Sequence, residues 1–270
     1  MHSRTVVALL LLLLALGSCL LAAEPAPAPA APEAAWNPMD LVKQWDSLRY
    51  YNRELGLKDF GAEFTCQPYS DALAAQLGSQ ATFKLYWRWP GEVRVVAAGS
   101  SDQMRSAATP IASALEGHLA QLIPKPFAEV VGRYQIKIGV DEKTGGKVLI
   151  GEALDNQNPV RRFTTYLDKA GNEVSTNWLT MEGVSITRRI TGSTPRDGRL
   201  LITDIVMDIK RADNTSTTKE MHWDYAAVGK LWLPARMTVN YKDQAPVIFV
   251  FTRPRANGGV PASLFKERGK

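Results

Sequence analysis

The sequence is poor in the residues on which most catalytic and metal sites depend. Its 270 residues include three histidines and two cysteines. His2, His118 and His222 are widely separated along the chain, whereas metal sites and catalytic triads need imidazoles that lie together. A phosphate-binding loop, a dinucleotide fingerprint, a nucleophile elbow and a paired-cysteine zinc motif are also missing. We therefore expect no enzyme activity, no metal and no cofactor.

Long apolar runs and strong charge are scarce as well. The net charge is +5, and the 32 basic residues form no dense block, which argues against nucleic-acid binding but allows contact with an anionic membrane surface. One apolar run, residues 6–16, follows His2 and Arg4. A positive segment followed by a short apolar one is typical of an export signal. The 45% share of apolar residues excludes a disordered chain.

The N-terminus predicts the compartment. Residues 1–23 are interpreted as an export signal, which places the mature protein in the periplasm. Residues 16–19, Leu-Gly-Ser-Cys, match a bacterial lipobox and would make Cys19 an acylated membrane anchor. Ordinary cleavage near Ala23 is the alternative. Residues 24–36 form a Pro/Ala-rich linker of extended character, and Cys66 is then the one cysteine well inside the mature chain, where we expect it to be buried.

Two helices are predicted from capping signals and apolar spacing. The first begins after Asn37 and continues toward Gly56. The second begins at Thr109 with Pro110 in its first turn, and a weaker helical stretch precedes it at residues 101–108. The apolar face of the second helix must cover something, because it cannot remain in water. That face carries Ile111, Leu115 and Leu119.

The rest of the chain predicts β-structure. Residues 81–89 alternate strictly, which places four large apolar side chains on one face: Phe83, Leu85, Trp87 and Trp89. A turn follows at Pro90-Gly91. Residues 132–253 predict further strands joined by short turns, giving about eleven strands in an antiparallel meander. Residues 255–270 lack periodicity and are predicted to be a flexible tail.

Acidic residues beside histidine offer one alternative chemistry. On a strand, His222 and Asp224 share one face while Trp223 points to the other. We interpret them as a solvent-facing pair opposite a core tryptophan. Asp204 and Asp208 are explained as an outer-face pair. A hydrolase would need two acids on neighbouring strands with a pocket between them, and the sequence provides no such pairing.

Three segments carry a family resemblance: the strand pair at residues 84–94, the hairpin at 160–178 and the late strand at 233–239. In their order and spacing they resemble the LolA/LolB-type lipoprotein-localisation family. The resemblance implies a mainly β (α+β) fold over residues 37–254: a large curved antiparallel sheet forming an unclosed half-barrel, with helices covering the concave face. In the classical carriers an arginine precedes the early proline. Here Trp89 precedes Pro90, so that arginine has no direct counterpart.

The leading hypothesis is therefore an exported protein that binds a lipid or a lipoprotein acyl chain in a hydrophobic cavity. The predicted lining combines one strand face with the second helix: Phe83, Leu85, Trp87, Trp89, Ile111, Leu115 and Leu119. The alternative is a non-enzymatic envelope interaction or sensing module of the same fold with a filled core.

Overall fold

The computed structural model describes residues 37–99 and 101–265. The predicted export signal, the linker and Cys19 lie outside the described residues, as do the last five residues of the predicted tail. Within the described part, the final strand extends to Ala256, and a short 3₁₀ helix spans Ala262–Phe265.

The described part contains four α-helices and twelve strands. The helices are α1 (Pro38–Ser47), α2 (Tyr69–Leu77), α3 (Asp102–Leu119) and α4 (Phe127–Val130), the last followed by a 3₁₀ turn at Val131–Arg133. The strands are β1 (Asp59–Gln67), β2 (Thr82–Arg88), β3 (Glu92–Ala98), β4 (Tyr134–Val140), β5 (Lys147–Ala153), β6 (Val160–Leu167), β7 (Glu173–Thr180), β8 (Ser185–Arg196), β9 (Arg199–Lys210), β10 (Ser216–Val228), β11 (Leu231–Tyr241) and β12 (Val247–Ala256).

All twelve strands belong to one antiparallel sheet. Strands β4 to β12 form a meander in which each strand pairs with its neighbour in sequence, and β1 joins that meander by pairing with β12. Phe60 lies opposite Ala256, and Gln67 lies opposite Ile248. The two ends of the strand order, β3 and β4, do not pair with each other. The predicted mainly β, unclosed half-barrel with accompanying helices is confirmed.

Strand alternation explains which face of β1 and β2 is buried. Side chains two residues apart share a face of a strand, and Phe83, Leu85 and Trp87 are all at most 1% exposed. On β1 the same holds for Phe60 and Cys66. Gly91 lies in the predicted turn between β2 and β3 with φ of 115°, a backbone conformation that a residue with a Cβ rarely adopts.

Helix α1 begins where the sequence predicts and ends earlier. The side chain of Asn37 accepts a hydrogen bond from the Met39 N–H at 3.0 Å, which caps the helix. The helix stops at Ser47 because the following residues pair with the start of β9 instead. Tyr50 N–H donates to the Leu200 carbonyl at 3.0 Å, and Leu200 N–H donates to the Leu48 carbonyl at 2.8 Å.

Helix α3 joins into one helix the two stretches that the sequence predicts separately. It begins at Asp102, because the Ser101 hydroxyl accepts a hydrogen bond from Met104 N–H at 3.2 Å. Pro110 therefore lies inside the helix rather than in its first turn. Burial of Met104 and Ala108 holds the turns before the proline against the sheet. The sequence prediction missed α2 altogether; there the Ser70 hydroxyl accepts from Cys66 N–H and donates to the Ala81 carbonyl.

The helices cover one face of the sheet, which we call the inner face. Two apolar clusters lie on this face, one on each half. The first lies between α3 and strands β1–β3 and β9–β12, and includes Phe64, Leu115 and Phe249. The second lies between α1 and strands β4–β6, and includes Trp45 and Phe163. Strands β7 and β8 cross the interval between the two clusters, and Met221 and Trp223 on β10 border it from the first cluster.

Candidate functional site

A cavity of about 330 Å³ lies against the inner face of β7–β10, between the two clusters. We call it the apolar cavity. Its walls also include the end of α1, the segment after it and the connection from α3 to α4. The lining residues are Trp45, Arg49, Tyr50, Tyr51, Ala120, Gln121, Ile123, Pro124, Lys125, Phe127, Val130, Thr176, Trp178, Arg188, Ile190, Leu201, Ile202, Ile205, Met221 and Trp223. A mostly apolar concave site with a few polar groups is the usual form of a small-molecule pocket.

The sheet builds the floor of the apolar cavity from cross-strand neighbours. Ile190, Ile205 and Met221 lie directly opposite one another on β8, β9 and β10. Residues directly opposite in an antiparallel pair place their side chains side by side. This row therefore forms a continuous apolar surface. Trp178 on β7 and Trp223 on β10 flank the row with large rings.

Arg49 and Arg188 interrupt the apolar lining, and both pair with a buried carboxylate behind it. Glu173 has a side chain with no exposed area, and it pairs with both Arg49 and Arg188. Arg188 Nη2 donates to the two carboxylate oxygens at 2.9 and 2.8 Å, and its Nε donates to Oε1 at 3.2 Å. The Thr176 hydroxyl donates to Glu173 Oε1 at 2.7 Å. This network fixes both guanidinium groups at the wall of the apolar cavity.

Aromatic rings support the same arginines. The Arg49 guanidinium lies over the Trp45 ring with 4.5 Å to the centroid, and that of Arg188 lies over Trp178 with 4.9 Å. A cation over an indole face is attracted by the ring quadrupole, more so when water is partly excluded. The two arginine side chains remain 12% and 23% exposed, so a ligand can reach them.

Glu173 is charged despite its burial. Desolvation raises its pKa, but the positive charges of Arg188 and Arg49 and the hydrogen bond from Thr176 oppose this and hold its pKa below the usual range. Near neutral pH the network therefore contains two cations and one anion.

A second cavity of about 320 Å³ adjoins the first, and we call it the polar cavity. Both cavities are lined by Trp45, Arg49, Ile190 and Ile202, so these four side chains form their shared wall. The remaining lining of the polar cavity is richer in hydrogen-bonding groups: Leu48, Asn172, Glu173, Thr191, Gly192, Ser193 and Leu200. The polarity of the lining thus changes at Arg49.

The seven residues predicted to line a lipid cavity lie elsewhere. Five of them belong to the first cluster and are at most 1% exposed, namely Phe83, Leu85, Trp87, Leu115 and Leu119. Trp89 and Ile111 are partly buried against the same cluster. The structure brings this set together as packed core, and none of it lines either cavity.

Sequence reasoning missed the residues that do line the cavities. One available signal was the two-residue alternation of each strand. It places Thr176 and Trp178 on one face of β7, and Arg188 and Ile190 on one face of β8. On β8 half-buried and exposed positions alternate from Arg188 to Arg196, but arginine is a residue type that is usually exposed. The arginine therefore gives no sequence signal that it faces inward.

The histidine–aspartate group lies on the outer face of the sheet. His222 Nδ1 is 2.6 Å from Asp204 Oδ1, and Nε2 is 3.2 Å from Asp224 Oδ1. Hydrogen bonds to Asp204 and Asp224 raise the pKa of His222, although partial desolvation opposes them. Trp223 is buried while His222 is exposed. The predicted solvent-facing pair opposite a core tryptophan is confirmed.

Two features are absent from residues 37–99 and 101–265. No helix there combines the length and apolar character needed to cross a bilayer. No three His, Cys, Asp or Glu side chains in this region are grouped so that they could hold a metal ion.

No protein-family model matches the sequence, and no curated protein matches it. Several solved structures are similar in fold. One is a putative outer membrane lipoprotein-sorting protein domain from Vibrio parahaemolyticus, with 13% identity and a TM-score of 0.36, over 85% of this chain and 97% of that one. A LolA superfamily protein from Nitrosomonas europaea has 9% identity and a TM-score of 0.30, over 86% and 99% of the two chains. A DUF1329 family protein from Desulfovibrio piger has 9% identity and a TM-score of 0.37, over 85% and 96%.

Proposed function

We propose that this chain is an exported, non-enzymatic envelope protein that binds a lipid or a lipoprotein acyl chain in the apolar cavity. The observation that supports it most directly is the row of Ile190, Ile205 and Met221, flanked by tryptophans and open to ligand. The signal-like N-terminus supports export to the periplasm. The lipobox at residues 16–19 supports anchoring through Cys19, and the positive net charge suits contact with an anionic membrane surface.

The size of the apolar cavity limits the ligand. An apolar cavity of about 150 Å³ accepts benzene, so one of about 330 Å³ accommodates roughly twelve carbon atoms. Burying about ten methylene groups contributes about 8 kcal/mol, which corresponds to micromolar affinity at best before the costs of association. We therefore expect reversible binding of a single chain of medium length.

The test measures acyl binding directly. It compares two substitutions on β9, one on the face that lines the cavity and one on the opposite face. Calorimetric titration of the mature protein with the neutral methyl dodecanoate is expected to show one site. Ile205→Trp fills the floor of the apolar cavity and should weaken binding at least tenfold. Val206→Trp is the matched control: the adjacent side chain points to the opposite face of the sheet, and binding should not change. Absence of binding by the wild-type protein, together with no co-purifying lipid by mass spectrometry, would refute the proposal.

One observation favours the second candidate, an envelope interaction or sensing module. The half of the inner face under α3 is filled by packed core, including the large rings of Phe83 and Trp87. A module of this kind would bind no lipid in the apolar cavity, and acyl ligands would not stabilise it. The unchanged thermal stability of the wild-type protein in the presence of acyl ligand would support this candidate, because a bound ligand stabilises the state that binds it.

A further inference from the structure

The ligand's head group can be inferred from the junction of the two cavities, on the assumption that the proposed function is correct. We infer that the chain binds an acyl amphiphile whose head carries a negative charge, with the tail in the apolar cavity and the head against Arg49 and Arg188. Three observations carry this assignment: the order of polarity along the cavities, the balance of charge in their lining and the unused donors of Arg188.

The order of polarity matches that of an amphiphile. The apolar cavity, the shared wall with Arg49, and the polar cavity with Asn172 and Ser193 follow one another. A chain seated on the row of Ile190, Ile205 and Met221 therefore ends beside a guanidinium rather than in open water. Burying a charge in such a place is favourable only with a paired partner.

The charge balance of the lining favours an anion. Among the described lining residues, three side chains are cationic, namely Arg49, Lys125 and Arg188, and one is anionic, Glu173. Glu173 neutralises one of the two arginines that it joins, and a positive charge is left at the junction. A carboxylate or a phosphodiester complements that charge, whereas an ammonium head would be repelled.

Arg188 retains hydrogen-bond donors for such a head. Arg188 engages Glu173 through Nε and Nη2, so the two hydrogens on Nη1 have no protein acceptor within the described part of the chain. A guanidinium binds carboxylate and phosphate oxygens in a fork geometry. Glu173 and the ring of Trp178 hold the Arg188 group in place, so little side-chain entropy is lost when the head binds.

The test compares ligands that differ only in head charge. Dodecanoate is expected to bind the wild-type protein about tenfold or more tightly than methyl dodecanoate, as for a charge-assisted hydrogen bond. A second pair, lauroyl lysophosphatidylglycerol and lauroyl lysophosphatidylcholine, distinguishes a phosphodiester lipid from a free fatty acid as the source of the charge. Preference for the anionic member of either pair supports the inference, and the stronger preference identifies the source.

Variants separate head recognition from tail binding. Arg188→Gln is expected to reduce the ratio of acid to ester affinity to about one while the ester still binds. The matched control is Arg189→Gln, because Arg189 lies on the opposite face of β8 and pairs with Asp208 there; the ratio should be unchanged. If Arg188→Gln does not fold, the wild-type ligand pairs still decide the question. Equal binding of both members of both pairs overturns this inference alone, whereas failure of every acyl ligand to bind overturns the proposed function.

Discussion

Glu173→Gln tests the buried ion network at the cavity junction. The substitution keeps the shape of the side chain and removes the only charge that neutralises Arg49 and Arg188 within the network. Breaking a buried ion pair from one side costs about 3–5 kcal/mol. We expect the lower end, about 3 kcal/mol, because the two arginines are still 12% and 23% exposed and water can solvate them.

The assay is thermal or urea unfolding of the mature protein at neutral pH. For a domain of this size, about 3 kcal/mol corresponds to a fall in Tm of about 6–12 °C. Glu63→Gln is the control, since it removes an exposed pair with Arg253 and should change the free energy of unfolding by less than about 0.5 kcal/mol. Equal effects of the two substitutions would refute the interpretation that Glu173 holds the junction together.

The difference in the free energy of unfolding between wild type and Glu173→Gln should depend on pH with a defined sign. The pKa of Glu173 is lower in the folded protein than in the unfolded chain. Its contribution to stability is therefore fully present above the unfolded pKa of about 4.3 and is lost as the pH falls through the lower folded value. The gap in stability between wild type and Glu173→Gln should be constant from pH 7 to about 5 and should narrow below about pH 4. A gap that widens with acid would contradict this reasoning.

Three other predictions concern residues outside the junction. Trp87→Ala should lower the free energy of unfolding by about 3–5 kcal/mol in denaturant, because the ring is packed core. Methyl dodecanoate should still bind, and a selective loss of binding would show that Trp87 lines the ligand site. An NMR titration should place the pKa of His222 above its ordinary value, and Asp204→Asn should lower that pKa, because a neutral amide stabilises the imidazolium less than a carboxylate does; an unchanged titration contradicts the pairing. In a Cys19→Ser chain, Cys66 should resist thiol reagents at pH 8 until denaturant is added, since burial raises the pKa of its thiol to about 12; rapid labelling of the folded protein would show that the thiol is accessible.

The alternation of apolar residues predicted the sheet well and the cavity poorly. On β2 a strict two-residue period places Phe83, Leu85 and Trp87 on the buried face, and the structure agrees. Periodicity shows which face is apolar, but it does not show whether a helix fills the space above that face. Helix α3 places Leu115 and Leu119 there, so the face closes into core.

The junction could not be predicted because its members come from distant parts of the chain. Arg49 follows α1, Glu173 begins β7, and Arg188 lies on β8. Arginine and glutamate are usually exposed, so neither gives a burial signal in a sequence. The end of α1 at Ser47 was also missed, because Leu48 and Tyr50 pair with Leu200, a contact between residues far apart in sequence.

The pairing of β1 with β12 affects the order in which the chain can assemble. Strands β4 to β12 each find their partner next in sequence, so this meander forms from local contacts as the chain emerges. The pairing of Phe60 with Ala256 joins residues that are far apart in the sequence, and closing the long loop between them carries a large entropic cost. We expect the β1–β3 unit to dock last. Until β1 docks, one edge of β12 has no partner strand and can pair with other chains. Loss of residues 247–256 would leave both β1 and β11 with such an unpaired edge.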